Sequence, residues 1–402
     1  VIIGGGAGGF FTAITAKELN PAANVTILER SGMLLSKVRI SGGGRCNVTH
    51  NQLDPALLVQ NYPRGGRALR GPFTRFGPRQ TIDWFAERGV QLKAEADGRM
   101  FPVTDDSQTI IDCLVTAATD AGVEIRTRSA VTGLEAAQDG GFTVQLRDGS
   151  SLQADSVVVA TGSAPASYRW AEALGHTIEP PVPSLFTFNI DDGRLRDLAG
   201  ISVPLGQVRL DGAKDTHEGP LLITHWGLSG PAVLRSSAWN ARLLHERDYR
   251  LGVTVNWLPE LNQSQSGEQL RDYRDEHPRR NILTSGPFDL PQRLWRSLAQ
   301  HAGAQEGQRW ADAPNRLLNA LVTEVNAGRY EVTGKGVFKE EFVTCGGVRL
   351  KEVDFTTMES RIRPGLYFVG EVLDIDGITG GFNFQAAWTT AWHAAQAVAQ
   401  TA

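Results

Sequence analysis

The chain has 402 residues, 41% hydrophobic and 21% charged, with a formal net charge of −4. That length admits two or three domains with sizeable cores, and the charge balance argues against non-specific nucleic-acid binding as the main task. Cys46, Cys113 and Cys345 show neither C-x-x-C nor C-x4-C spacing, which excludes a zinc ribbon and a short redox disulfide.

Val1 to Ile3 is an apolar run ending in glycines and reads as a buried strand. A short segment is expected to precede it. Residues 7–19 read as a helix, with apolar Ala7, Phe10, Phe11, Ile14 and Leu19 and with Pro21 beyond the end. Residues 25–29 form the next strand and close a β-α-β unit. Residues 31–79 are a long, weakly periodic connection rich in Gly and Arg, a length that favours function. Residues 81–88 look helical and 90–92 extended; 107–121 is a clear helix, with Asp106 or Ser107 as its cap, and 123–126 a strand. Residues 130–155 alternate with period two around turns at Asp139-Gly140-Gly141 and Asp148-Gly149, an antiparallel meander. The apolar run 156–160 should return to the parallel sheet. Beyond Pro183, residues 185–256 mix strands with a helical stretch over 232–244, and 257–330 are polar and helical. Residues 366–370 are again a buried strand, and 383–400 an Ala-rich helix, apolar nearly all round and therefore buried. No apolar run approaches the roughly 20 residues of a membrane span, and no secretory leader is visible.

The β-α-β unit carries G-x-G-x-x-G through Gly4, Gly6 and Gly9. Such glycines permit a tight turn, close approach of backbone to a pyrophosphate, and close helix–strand packing; the helix N-terminus faces the phosphate charge. Glu29 follows at the end of the second strand, where a carboxylate accepts hydrogen bonds from ribose hydroxyls. Thr161-Gly162 ends the middle strand and Gly370-Glu371 the last one. This ordered triplet resembles the glutathione-reductase-type FAD fold, in which the C-terminal strand and helix hold the ribityl chain and flavin ring. In the stretch 370–385, Glu371 or Asp374 would bind ribityl hydroxyls, and Gly380-Gly381 would let the backbone reach the ring. The helix beginning near Asn383 would aim its positive end at the flavin and stabilise the anion formed on reduction.

Ile40-Ser41-Gly42-Gly43-Gly44-Arg45-Cys46-Asn47-Val48-Thr49, the stretch from Thr224 to Pro231, Gly346-Gly347-Val348, Thr357-Met358-Glu359-Ser360 and the stretch 370–385 together resemble one family. It is the BaiN-type flavoproteins, also labelled aminoacetone-oxidase-like FAD-binding enzymes, and the resemblance covers essentially the whole chain. It implies an α/β fold, with a Rossmann-like, discontinuous FAD-binding domain of glutathione-reductase type over 1–184 and 341–402. A β-barrel-like insertion is expected over 185–256 plus 331–340, and a helical one over 257–330. It also implies flavin-dependent redox chemistry, in some members on unsaturated steroid-type substrates. Cys345 departs from the pattern, where a small residue such as alanine is expected, and reads as a packing change.

The cofactor set expected for FAD is Gly4, Gly6, Ala7, Gly8, Gly9, Glu29, Arg30, Lys37, Gly44, Arg45, Cys46, Asn47, Val131, Thr161, Gly162, Gly370, Glu371, Asp374, Gly380, Gly381, Phe382 and Asn383, with no metal. Within it, Lys37 and Arg45 are read as neutralising phosphate charge. Cys46 is either a thiol reacting beside the ring or a small buried hydrophobe, and the absence of a partner cysteine favours the second. His225 is the acid–base candidate, against a hydrogen-bonded turn histidine. Arg64, Arg67, Arg70, Arg75 and Arg79, interleaved with Tyr62, Phe73 and Phe76, read as a solvated loop partly serving the phosphates, with an anionic substrate or nucleic acid as the alternative.

The reading is an FAD-dependent oxidoreductase that exchanges hydride between flavin N5 and an unidentified small organic substrate. Sparse free cysteines suit the cytoplasm; neither nucleic acid nor membrane is expected as a partner, and oligomeric state and substrate stay open. No second G-x-G-x-x-G occurs, so NAD(P)H as a transient electron donor would use the substrate cleft. The alternatives are a flavin-containing RNA-associated protein with little turnover, supported by the arginine run, and a small-amine oxidase.

Overall fold

The computed structural model describes residues 1–137, 140–336 and 343–401. The chain forms two compact units, Val1–Val182 with Val343–Ala402, and Pro183–Phe342. The expected boundaries at 331–340 and 341 fall partly on 337–342, and the expected turn residue Asp139 on 138–139, all outside the described residues.

In the first unit a central sheet runs in the order Val353–Asp354, Glu359–Ser360, Leu366–Phe368, Val157–Val159, Ile2–Ile3, Thr26–Leu28, Glu124–Arg126. The last five strands run parallel to one another, and Leu366–Phe368 is antiparallel to Glu359–Ser360. The apolar runs Leu366–Phe368, Val157–Val159 and Ile2–Ile3 are buried, as inner parallel strands between helices must be, while Glu124–Arg126 at the end of the sheet is not. The helices Ala7–Leu19 and Phe382–Thr401 pack against each other. Phe11 meets Trp388 at a ring separation of 5.5 Å. The meander is a separate three-stranded sheet of Val131–Ala136, Phe142–Leu146 and Ser151–Ala154.

The stretch 31–79 is more ordered than expected. It holds helices at Ser36–Gly44, interrupted by non-helical backbone at Ser41, Gly42 and Gly43, at Pro55–Leu58 and at Gly66–Arg75. Weak periodicity hid the third of these. Gly66, Leu69, Pro72 and Phe73 are buried, while Arg67, Arg70 and Arg75 face water, so the apolar stripe is narrow. Three of the five arginines of the run therefore lie on a helix face and not in a loop, while Arg64 precedes this helix and Arg79 falls in the next, Pro78–Glu87.

The second unit holds a seven-stranded antiparallel sheet in the order Gly328–Val332, Leu251–Asn256, Ser202–Leu210, His217–Thr224, Gly227–Ser229, Phe188–Asn189, Gly334–Lys335. Helices Gln263–Glu276, Gln292–Ala302 and Asn315–Ala327 share its core, with Trp257, Trp295 and Trp310. Each buried indole finds an acceptor, for example Trp295 Nε1 donating to the Ile282 carbonyl at 2.7 Å. The helical stretch expected over 232–244 is two helices, Pro231–Trp239 and Ala241–Glu246. They meet at Asn240, whose amide donates to the Ser236 carbonyl and to Asp215.

Candidate functional site

The glycine motif joins the central parallel strand Ile2–Ile3 to the first helix. Gly4 has φ +116°, and a Cβ there would lie 2.5 Å from the Ala160 carbonyl oxygen; one on Gly9 would lie 2.0 Å from that of Gly4. These two glycines are demanded by the packing of strand end on helix start. A Cβ on Gly6 would meet nothing within 4 Å, and the same holds for Gly43 and Gly44. Space is therefore open beside the glycine turn, and the helix starting at Ala7 has no side-chain cap. Its first N–H groups and its dipole are available to a phosphate. The residues present fit the diphosphate of a dinucleotide.

Glu29 stands at the end of the second strand. Its carboxylate accepts from the Gly5 N–H at 2.9 Å and the Ser31 N–H at 2.8 Å, one bond to each oxygen. Each oxygen retains a lone pair for a ribose hydroxyl. Arg30 beside it is exposed, Ala7 and Gly8 begin the helix, and Val131 opens the meander, half-buried.

The stretch Ser41 to His50 runs alongside the C-terminal loop. Gly42, Gly43 and Gly44 all have positive φ, and Cys46 has φ +62°. The amide oxygen of Asn47, in the orientation that satisfies both its ends, accepts from the Gly381 N–H at 2.9 Å. A Cβ on Gly381 would sit 2.4 Å from the Thr49 carbonyl oxygen, so two backbones touch there. Behind them lies a buried polar chain: Thr49 and Thr81 donate to the Gln385 oxygen, the Gln385 amide donates to Thr389, and Trp388 Nε1 donates to the Val48 carbonyl. Every group in it is paired, and such networks hold one geometry.

The C-terminal loop is fastened from a third side. Asp376 is fully buried and receives the Arg64 guanidinium, Nε at 2.5 Å and Nη2 on the other oxygen. Tyr62 Oη donates to the Phe382 carbonyl at 2.6 Å. Asn383 lies inside the first turn of the helix that starts at Phe382, and its amide both donates to and accepts from Gly377, at 2.9 and 2.8 Å. Gly380 and Gly381 carry positive φ just before that helix.

Several of the residues expected at the cofactor have partners within the protein. Lys37 pairs with Glu371, and Arg45 pairs with Glu95 at 2.7 Å while its guanidinium lies 4.0 Å above the Phe101 ring. Both cations thus have carboxylate partners within the protein. Glu371 also accepts from the Thr344 N–H, and buried Asp374 accepts from the Gly346 N–H at 3.0 Å. Asp374 lines a cleft of about 430 Å³ with Glu179, Arg349, Leu350 and Lys351. Gly162 lies beside Glu371, following Thr161, and the Gly370 N–H donates to Thr390. Cys46 is fully buried, and that burial pushes its thiol up to about 12, so the small-hydrophobe alternative fits and a thiolate does not.

His225 belongs to the second unit. It is exposed at the tip of the hairpin formed by His217–Thr224 and Gly227–Ser229, and it lines a cleft of about 430 Å³ with Thr224, Gly227, Asp191, Arg196 and Arg293 among others. Sequence reasoning placed Tyr62 only within the arginine run and Gln385 only within the stretch 370–385, and missed the bond of Tyr62 to Phe382, the buried chain around Gln385 and the pairing of Arg64 with Asp376. The only available signal was the position of Asp376 in the stretch 370–385, since 312 residues separate the partners.

Over residues 1–397 the chain matches the family described as HI0933-like protein Rossmann domain. It is 32% identical to the ribosomal RNA dihydrouridine synthase of Escherichia coli, over 98% of this chain and 96% of that protein. It is 31% identical to the 3-dehydro-bile acid delta(4,6)-reductase of Clostridium scindens, over 99% and 98%. Among solved structures, the 3-ketosteroid-delta4-(5alpha)-dehydrogenase of Rhodococcus jostii superposes with a TM-score of 0.53 at 15% identity, covering 99% of this chain and 96% of that one. That likeness shows the shared fold. No helix among the described residues is long and apolar enough to cross a membrane.

Proposed function

The chain belongs to the HI0933-like Rossmann-domain family, and from that premise we propose that it is an FAD-dependent reductase that saturates a carbon–carbon double bond conjugated with a carbonyl, its substrate being uracil in RNA. The names of the two relatives share that chemistry: one denotes dihydrouridine formation, the other reduction of double bonds in a 3-oxo bile acid. When bound, FAD supplies the two-electron hydride chemistry that protein side chains lack. The open glycine turn with Glu29, the Ser41–Asn47 stretch and the Gly370–Asn383 loop would hold it. NAD(P)H is the proposed electron source.

The observation that carries the choice of RNA is the helix Gly66–Arg75. Arg67, Arg70 and Arg75 are exposed on it, with Arg79 just beyond. The preceding turn is locked to the proposed flavin loop by Arg64–Asp376 and by Tyr62 on Phe382. A concentrated cationic face fixed to the cofactor loop suits a polyanionic substrate. Net charge weighs against nucleic acid only when the arginines are averaged over the whole chain.

Saturation adds a hydride at the carbon β to the carbonyl and a proton at the α carbon. Exposed His225, on a cleft wall, is the proposed source of that proton. The test is to add NADH or NADPH to the purified yellow protein without oxygen, then supply unmodified ribosomal RNA. Bleaching of the flavin, its recovery with RNA, and the mass gain of two hydrogens on one uridine are expected. Bleaching without recovery, but with recovery on an enone steroid, would move the substrate to small molecules.

A further inference from the structure

Trp226 exposes 66% of its surface, whereas Trp257, Trp310 and Trp388 are buried. Its backbone is nonetheless tightly held. The Trp226 carbonyl accepts from the Ile190 N–H at 2.8 Å, its own N–H donates to Thr224 Oγ1 at 3.3 Å, and that hydroxyl donates to the Gly227 carbonyl. Gly227, the next residue, has φ +148°, and a Cβ there would lie 2.3 Å from the Phe188 carbonyl oxygen. The hairpin tip is thus pressed onto the neighbouring strand while it presents a large indole to solvent. A rigid backbone under an exposed aromatic ring is the arrangement of a preformed stacking platform: little ordering entropy opposes binding.

Thr224, His225 and Gly227, the chain neighbours of Trp226, line a cleft of about 430 Å³. That volume lies within the roughly 300–1,000 Å³ of small-ligand sites. Arg196 and Arg293 contribute to its wall, together with Asp191, Asp192 and Asp197. Asp192 is already engaged by Arg194 through both of its oxygens. Arg196 in turn lies 3.8 Å from Asp191, and Arg293 donates to the Asp197 carbonyl, so the charged groups of this wall are engaged with one another and the exposed indole is left as the surface that a flat base can use.

We propose that Trp226 is a stacking platform for an unpaired base of the RNA strand. The proposal rests on the RNA reading above and adds a residue that selects single-stranded over paired RNA, because a base inside a duplex has no free face to stack.

The test measures fluorescence anisotropy of a labelled oligouridylate with the FAD-loaded protein, across a salt series. Trp226→Ala is expected to weaken binding roughly ten-fold and to leave the slope against salt unchanged, since no phosphate contact is removed. Trp226→Phe is expected to keep most of the affinity. If Trp226→Ala binds as tightly as the parent, or if Trp226→Phe is as weak as Trp226→Ala, the stacking role is overturned while the RNA reading stands. A parent protein that binds no oligouridylate even at low salt overturns both.

Discussion

Arg64 and Asp376 form a buried ion pair that joins residues 312 positions apart, the arginine ahead of the cationic helix and the aspartate in the C-terminal loop. Asp376 is fully buried, so removing its partner strands a charge in a low-dielectric interior. Arg64→Ala is expected to destabilise the first unit by about 3–5 kcal/mol and to release FAD. The double replacement Arg64→Met with Asp376→Leu should be less harmful than either single change. Urea unfolding and flavin absorbance after gel filtration check both statements; a double variant worse than the singles would contradict this account.

Cys46 lies in the glycine-rich stretch but is sealed from solvent, with its thiol at about 12. The native protein should resist alkylation at Cys46 at neutral pH, as judged by peptide mass mapping. Cys46→Ser should keep the rate of flavin bleaching within a few-fold. Loss of turnover with FAD retained would return the thiol to the chemistry.

His176 is buried, and burial lowers its pKa below the ordinary value near 6.5, against the pull of Glu352 at 3.4 Å. The Ser360 hydroxyl meets its Nε2 at 2.8 Å. Ser360 Oγ already accepts from the Ile362 and Arg363 N–H groups, so it donates to an unprotonated Nε2. The folded state therefore binds this proton less readily than the unfolded state. Its contribution is complete above about pH 6.5 and is lost as pH falls through the folded pKa. Thermal unfolding between pH 7 and 5 should show a decline in Tm that is shallower in His176→Gln. An equal slope in both proteins would assign the decline to other groups.

The exposed arginines act through phosphates if the RNA reading holds. Replacing Arg67, Arg70 and Arg75 with alanine should weaken RNA binding and reduce the log–log salt slope by about 2, at roughly 0.7 for each lost contact with a single strand. An unchanged slope would remove this helix from the interface.

His225→Gln should slow substrate reduction by about 10²–10⁴-fold while leaving flavin bleaching by the nicotinamide at its parent rate. Stopped-flow traces of the two half-reactions separate these steps. Equal slowing of both halves would indicate a disturbed fold and not a missing proton donor.

Local rules sufficed for the nucleotide-binding core. The G-x-G-x-x-G turn, the helix Ala7–Leu19 and Glu29 lie within one β-α-β unit, so spacing and periodicity carry them. The parallel return of Val157–Val159 and the buried C-terminal helix were also legible, because apolar runs without polar alternation have nowhere to lie but inside. Only the tertiary structure paired Lys37 with Glu371 and Arg64 with Asp376, turned an arginine-rich stretch into a helix with one wet face, and sealed Cys46. Charge partners and burial depend on which distant segments meet, and Coulomb attraction and desolvation act through space and not along the chain.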